Sequence, residues 1–232
     1  MSRSTAVRAC AVAAAVPAVL AAALTPAWGK TGRSLYVQGT KIASVRGGSV
    51  ALRAAPGSPH VLARVSSTTE FGSATRMAVV ADDGDWVELI SDRLDNGAHA
   101  FVGRSELDLA RRPFVLEADL TRRRLVVWRW DQPVRRFPIG IGAAASPTPS
   151  GRFSITDKLR NYQSATYGCC LLALSGHQTH LPRGWPGGDR LAIHEGGGLG
   201  AGVSAGCLHA DRAAMHYLLR TIPLGTQIFI HR

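Results

Sequence analysis

The chain has 232 residues, 46% of them hydrophobic, which is enough for one large or two small domains with well-filled cores. This composition excludes a chain that is disordered as a whole. The formal net charge is +11, yet neither paired zinc ligands nor an aromatic and basic strand motif occurs. We therefore expect neither a nucleic-acid-binding protein nor a metal site.

Residues 1–29 have the layout of a secretory signal peptide. Arg3 and Arg8 precede an Ala/Val/Leu-rich run, and small residues follow it. The run is broken by Pro17 and is shorter than the roughly 20 residues that a membrane span needs. We expect export to the cell wall, the periplasm or the exterior, and a mature chain with a net charge of +9. Acidic cell-wall polymers then become the favoured anionic partners.

Residues 34–110 have the pattern of short strands separated by turns, which is typical of a small β barrel or sandwich. The segments VALRAAPG, DGDWVEL and AFVGRSEL, in this order, resemble bacterial SH3-like wall-associated domains. That resemblance implies either binding of wall peptide or glycan, or packing on a catalytic partner. The polar stretch 109–114 predicts a break between two domains.

Residues 114–232 have the pattern of further strands, and one helix is predicted after Cys207. Asp211 is its expected N-cap and Pro223 its stop signal. Cys169 and Cys170 fall in an apolar strand, where we expect them to point to opposite faces, one of them into the core. The chain is thus predicted to be mainly β.

Cysteine usage indicates a free thiol. Export permits disulfides, yet only Cys169, Cys170 and Cys207 remain after residue 29. Three is an odd number, so at least one thiol stays unpaired or finds an external partner.

Cys207 closes a glycine-rich loop that follows the predicted strand LAIH, which ends in His194. A histidine can take the proton of a cysteine that acts as a nucleophile. The N–H groups of Ala205, Gly206 and Cys207 could stabilise the oxyanion of an acyl-transfer intermediate, at roughly 3 kcal/mol per donor. The residues alone favour a Cys/His acyl-transfer site, and the alternative is a flexible loop with a buried cysteine.

The block 114–232 resembles the catalytic domain of the L,D-transpeptidases, the YkuD-like family. Four motifs carry the resemblance, in the family's order: PTPSGRF from Pro147, AIHE from Ala192, SAGCLH from Ser204 and GTQIFI from Gly225. The resemblance implies a β-sandwich-like domain with no metal or organic cofactor. It also implies that Cys207 is the nucleophile and His194 the general base and later acid. Ser204 would support the loop, and Gly206 and Cys207 would supply the oxyanion donors.

The family's reaction is acyl transfer on peptidoglycan stem peptides. By the resemblance, Cys207 attacks the third residue of a tetrapeptide donor and releases D-alanine. The amine of a diamino acid on another stem then forms a 3→3 cross-link. Carbapenem-type β-lactams are the implied covalent inhibitors. Two alternatives stay open: an L,D-carboxypeptidase or cross-link hydrolase, and a wall-binding protein with a degenerate site.

Three features depart from the family pattern. His209 stands where the family has arginine, Glu195 follows the histidine, and only nine residues separate His194 from Ser204. We expect Arg212 to share the task of the missing arginine, and the Glu195 carboxylate to favour the imidazolium form of His194. Glu195, His209 and Arg212 are therefore candidates for the substrate side of the site.

Overall fold

A computed structural model describes residues 38–160 and 165–232. The predicted signal peptide lies outside these residues. Within them the chain is mainly β, arranged in sandwich-like sheets, with one α-helix after Cys207, which confirms the predicted fold class. No helix in the described part is both long and apolar enough to cross a membrane.

The N-terminal part forms a seven-stranded antiparallel sheet in the order β3-β2-β6-β5-β4-β1-β7. Its strands are β1 (Thr40–Val45), β2 (Ser49–Arg53), β3 (Val61–Ser66), β4 (Arg76–Asp82), β5 (Trp86–Leu89), β6 (Ala100–Gly103) and β7 (Leu107–Arg112). Their inward-facing apolar side chains, among them Leu52, Leu89 and Leu107, form a separate core. That this sheet is an SH3-like barrel stays a prediction.

The stretch 109–114, predicted as a polar break between two domains, contains the end of one strand and the first residue of the next. That it separates two domains stays a prediction. Residues 107–112 form β7, which pairs with β1 and lies at the edge of the sheet. The exposed Arg111 and Arg112 are compatible with a strand because an edge strand has one open side, where charged residues are common. Pro113 alone separates β7 from the next strand.

The C-terminal part forms an eight-stranded sheet in the order β10-β9-β8-β17-β12-β13-β14-β16, with a two-stranded β11-β15 ribbon beside it. Its strands are β8 (Phe114–Asp119), β9 (Arg124–Arg129), β10 (Gln132–Pro138), β11 (Ile141–Gly142), β12 (Gly151–Arg160), β13 (Cys170–His177), β14 (Arg190–Glu195), β15 (Gly202–Ser204), β16 (Leu208–Ala210) and β17 (Gln227–His231). Neighbours in the eight-stranded sheet are antiparallel except β17 with β8 and β14 with β16, and the two strands of the β11-β15 ribbon are parallel. Because β13 and β14 are internal and almost wholly buried, they form a rigid platform for residues at their ends.

Helix α1 (Arg212–Thr221) packs its apolar face on this sheet through Ala214, Met215, Leu218 and Leu219. The Asp211 carboxylate accepts a hydrogen bond from the Ala214 N–H at 2.7 Å, so the predicted N-cap is confirmed. The helix ends before Ile222 and Pro223, as the sequence predicts.

The prediction that Cys169 and Cys170 point to opposite faces is wrong, because the two are joined in a disulfide. Strand β13 begins at Cys170, and a turn at Gly168, whose φ is +60°, precedes it. Cys169 therefore lies outside the strand, and the alternation of strand side chains does not apply to it. Cys170 is buried in the core, and Cys207 is a free thiol.

Candidate active site

His194 lies near the C-terminal end of β14, between Leu171 of β13 and His209 of β16. Its side chain is buried, and its Nδ1 lies 2.9 Å from the Glu195 carbonyl oxygen. A carbonyl oxygen can only accept a hydrogen bond, so Nδ1 carries the proton of the neutral ring. Nε2 is then left with a free lone pair, as a general base requires.

Burial lowers the pKa of His194 to about 4, and the nearby His209 adds to this, while the hydrogen bond to the Glu195 carbonyl opposes it. The net shift of the His194 pKa is thus opposite in direction to the one expected from the Glu195 carboxylate. At neutral pH the imidazole is uncharged and able to accept a proton.

Cys207 lies between β15 and β16, and its side chain packs against the cluster of Leu171, Ala173 and Ala192. Ala192 and His194 are two residues apart on β14, so they lie on the same face of the sheet. Cys207 is thus on the face that carries His194, and both residues line one cavity of about 230 Å³.

Burial raises the pKa of the Cys207 thiol to about 11, against the opposing effect of the Ala192 backbone N–H. Together with the low pKa of His194, this gives a resting pair in which both groups are uncharged at neutral pH. The thiol must therefore lose its proton when it reacts, and His194 is the base that shares its cavity.

Ser204 makes two hydrogen bonds within the loop. Its hydroxyl accepts from the Gly206 N–H at 3.0 Å and donates to the Cys207 carbonyl at 2.6 Å. The Gly206 N–H is therefore not a free oxyanion donor, which corrects that expectation, and Gly206 belongs to loop support. The N–H groups of Ala205 and Cys207 have no acceptor within the described part of the chain.

The glycine-rich loop is anchored rather than flexible, which contradicts the alternative drawn from the residues alone. The Gly200 N–H donates to the Ile139 carbonyl at 3.0 Å, and the Ala143 N–H donates to the Ser204 carbonyl at 2.8 Å. Thr148, from the PTPSGRF motif, donates through its hydroxyl to the Gly206 carbonyl at 2.8 Å. Because both ends of the loop are bonded to β11 and its neighbours, Cys207 has a fixed position.

Gln178 is a site residue that the sequence analysis missed. Its buried side-chain amide donates to the Ala205 carbonyl at 2.9 Å and to the Pro147 carbonyl at 3.1 Å. Gly206 lies against this amide with φ of +121°, and a Cβ at this position would overlap it. Gln178 therefore fixes the backbone immediately before Cys207.

The Glu195 side chain lies away from the cavity. Its carboxylate accepts from the Cys169 N–H at 2.5 Å and from Arg212 Nε at 2.9 Å, and these two donors lower its pKa against the opposing effect of burial. Neither Glu195 nor Arg212 lines the cavity, so placing them on the substrate side is wrong. The reason is the strand alternation: His194 takes one face of β14 and Glu195 the other.

His209 does line the cavity. Its ring centroid lies 4.6 Å from that of His194, and its Nδ1 contacts the Gly197 carbonyl oxygen at 2.9 Å. A Cβ at Gly196 would overlap the His209 ring. His209 thus supports the glycine-rich loop and contacts the base without any contribution from Arg212.

The rest of the cavity wall includes residues for which the sequence predicts no individual role. Leu181, Trp185 and Val203 supply apolar surface, and the ring of Tyr167 lies edge-on to His194 at 5.0 Å. Leu181 and Val203 are 39% and 50% exposed, so this wall is open to a ligand.

Arg190 connects the cavity wall to the seven-stranded sheet. Its guanidinium binds Glu70 at 2.5 Å and Asp92 at 3.0 Å, and it also donates to Thr156 at 2.7 Å. Nearby, the Asn96 side chain exchanges two hydrogen bonds with the backbone of His177, at 2.6 and 2.8 Å. Loops of the first sheet therefore hold one wall of the cavity in the second.

Comparison with known proteins gives consistent matches. The family described as the YkuD L,D-transpeptidase catalytic domain matches residues 113–230. The protein YkuD of Bacillus licheniformis is 26% identical over 123 residues, which are 51% of this chain and 66% of that relative. The match thus spans slightly less than two thirds of the relative's length.

Two solved structures are also similar. An L,D-transpeptidase from Mycobacterium smegmatis has 14% identity and a TM-score of 0.44, covering 83% of this chain and 99% of that one. L,D-transpeptidase 3 from Mycobacterium tuberculosis, in complex with a faropenem-derived adduct, has 16% identity and a TM-score of 0.40. That alignment covers 58% of this chain and 73% of the other.

Proposed function

Because the chain belongs to the YkuD family of L,D-transpeptidase catalytic domains, we propose that it is an exported enzyme that forms 3→3 cross-links between peptidoglycan stem peptides. One observation carries the proposal: the free thiol of Cys207 and the neutral imidazole of His194 line the same open cavity. The substrate is the tetrapeptide stem, and the compartment is the cell wall, the periplasm or the exterior.

In the first half-reaction the sulfur of Cys207 attacks the carbonyl of the third stem residue while His194 Nε2 takes the thiol proton. The transfer accompanies the attack because both groups are uncharged at rest. The unpaired N–H groups of Ala205 and Cys207 are the proposed donors to the oxyanion. The tetrahedral intermediate collapses to a thioester, and His194 returns the proton to the amine of the departing D-alanine.

In the second half-reaction the amine of a diamino acid on another stem attacks the thioester. His194 removes a proton from this amine, the carbon–sulfur bond breaks, and the sulfur leaves as the thiol. The fixed loop supports this role because the thiol and the donor N–H groups keep their positions through both steps.

Anionic cell-wall polymers are the proposed surface partners. Arg135 and Arg136 are exposed on the edge strand β10, and Arg122 and Arg123 are exposed in the turn between β8 and β9. A polyanionic wall polymer would be attracted to this edge, and the attraction would weaken with added salt.

Product analysis tests the proposed reaction. The purified chain is incubated with disaccharide-tetrapeptide donors, and the products are separated and identified by mass spectrometry. We expect tripeptide-linked dimers and free D-alanine from the wild type, and neither from Cys207→Ala. His194→Ala should likewise give neither product, and its matched control is His60→Ala, an exposed residue of the loop between β2 and β3, which should keep full activity.

Free tripeptide without dimers would replace the transpeptidase by a hydrolase with the same thioester chemistry. Retention on purified cell wall together with an unreactive Cys207 would instead indicate a wall-binding protein. The wall-binding alternative is based partly on Glu195. It has less support in the folded protein, because the Glu195 side chain does not line the cavity.

A further inference from the structure

Two sulfur atoms and one imidazole lie together outside the cavity of Cys207. Cys169 and Cys170 precede and open β13, and His216 lies on α1, which packs against β13. One ligand atom from each of the three residues lies within 4.8 Å of the others. None of the three lines the cavity, so the proposed mechanism leaves the cluster without a role.

The surroundings of the cluster suit a bound cation. Cys170 is 1% exposed and belongs to the apolar core, whereas Cys169 and His216 are half-buried, which leaves a path to solvent. Within residues 38–160 and 165–232 the ring of His216 makes no hydrogen bond or ion pair, and one of its nitrogens lies within 4.8 Å of a sulfur atom of each cysteine. The Glu195 carboxylate also lies close to the cluster, because it accepts a hydrogen bond from the Cys169 N–H at 2.5 Å.

We propose that, once a dithiol reductant has opened the disulfide, Cys169, Cys170 and His216 bind one Zn²⁺ ion. The reductant gives two electrons and two protons to the disulfide, which becomes two thiols, while the reductant becomes a disulfide itself. Zn²⁺ then displaces one proton from each thiol and binds both thiolates and a ring nitrogen of His216. The two thiolate charges balance the ion, and a water molecule takes the fourth tetrahedral position.

Several chemical facts favour Zn²⁺ over harder cations. Thiolate and imidazole ligands suit zinc, whereas Mg²⁺ and Ca²⁺ prefer oxygen ligands. The Glu195 carboxylate is already occupied by Arg212 and by the Cys169 N–H, so it is not needed as a ligand. This site has no signature at short ligand spacings in the sequence, because His216 lies 46 residues after Cys170.

The test uses the full chain with Cys10→Ser and Cys207→Ser, which leaves Cys169 and Cys170 as the only cysteines. The protein is reduced with a phosphine, which takes up the oxygen of one water as the disulfide becomes two thiols. After removal of the phosphine it is titrated with Co²⁺ as a spectroscopic probe. We expect a thiolate-to-Co²⁺ charge-transfer band that saturates at one ion per chain and disappears when Zn²⁺ is added. The oxidised protein should give no band.

His216→Ala should weaken Co²⁺ binding by roughly tenfold or more, because it removes one of three ligands. The matched control His180→Ala, an exposed histidine, should leave the affinity unchanged. If the parent protein, His216→Ala and His180→Ala all bound Co²⁺ with the same affinity, the proposal that His216 is a ligand would be overturned.

Circular dichroism separates loss of the site from loss of the fold. A reduced protein that is folded and gives no band overturns the proposal. If reduction unfolds the chain, recovery of the native spectrum on addition of Zn²⁺ supports the site, and failure to recover overturns it. Because Cys207 is absent from this background, the result does not depend on the proposed transpeptidase reaction.

Discussion

The two large sheets are built alike, but they differ in whether they line the cavity of Cys207. Each encloses its own apolar core, one around Leu89 and one around Leu172. Every described residue that lines the cavity of Cys207 comes from the C-terminal part. The seven-stranded sheet contributes only indirect contacts, through Glu70, Asp92 and Asn96. The chemistry therefore depends on one sheet, whereas loops of the other bind one wall of the cavity.

The largest difference is expected between core and cavity substitutions. His194→Ala should lower kcat/KM by roughly 10³-fold or more, since it removes the general base, while the thermal unfolding midpoint changes little. Leu89→Ala, in the core of the first sheet, should cost about 2–5 kcal/mol of unfolding free energy while the folded fraction keeps its kcat/KM. Unfolding curves and steady-state rates on the same preparations measure both. If kcat/KM of folded Leu89→Ala fell as far as that of His194→Ala, the first sheet would be as important for catalysis as the cavity.

The pH dependence of acylation should separate the base from the thiol. In the wild type, acylation should be nearly constant between the pKa of His194 near 4 and that of Cys207 near 11. The rate falls below the lower value because protonated His194 cannot accept a proton. His194→Gln has no base and needs the thiolate, so its rate should rise about tenfold per pH unit towards 11. The acylation rate is measured against pH by stopped flow with a β-lactam. If the wild type and His194→Gln showed the same pH dependence, His194 would not be the base.

Gln178 should have an intermediate effect. Gln178→Ala removes the donor that holds the carbonyls of Pro147 and Ala205, so the backbone before Cys207 loses its fixed position. We expect kcat to fall roughly 10- to 100-fold with a smaller change in KM. The matched control Gln132→Ala, exposed on β10, should keep the wild-type kcat. A wild-type kcat for Gln178→Ala would show that the loop needs no such support.

The smallest effect is expected at the contact between the sheets. The double variant Glu70→Gln with Asp92→Asn removes both acidic partners of Arg190. KM for the donor should rise only roughly two- to fivefold, because partly exposed ion pairs contribute little free energy. Asp108→Asn breaks the exposed Arg46–Asp108 pair of the same sheet, neither residue of which lines the cavity, and serves as the control. A large fall in kcat for the double variant would mean that the first sheet takes part in the chemistry.

The sequence predicts features that depend on neighbours in the chain. The N-cap at Asp211 and the placing of His194 at the end of a strand follow from local patterns. Gln178 and Arg190 were missed because their partners, such as Ala205 and Asp92, lie 27 and 98 residues away. Glu195 was misplaced for a different reason: its adjacency to His194 was given more weight than the alternation of the strand that carries both.

Strand β7 escaped prediction because its apolar residues are few and its arginines suggest a loop. Pairing with β1 stabilises it all the same, through backbone hydrogen bonds that do not depend on side-chain type. Tertiary pairing of this kind has no signature in a single sequence.

Intact mass spectrometry with a carbapenem tests the central claim most directly, namely that Cys207 is a nucleophile served by His194. We predict that the folded protein gains the mass of one β-lactam, that the adduct maps to the peptide containing Cys207, and that Cys207→Ser gains nothing. The gain should be much slower in His194→Ala at neutral pH. A folded wild-type protein that stays unmodified, or carries the adduct on another residue, would contradict the account.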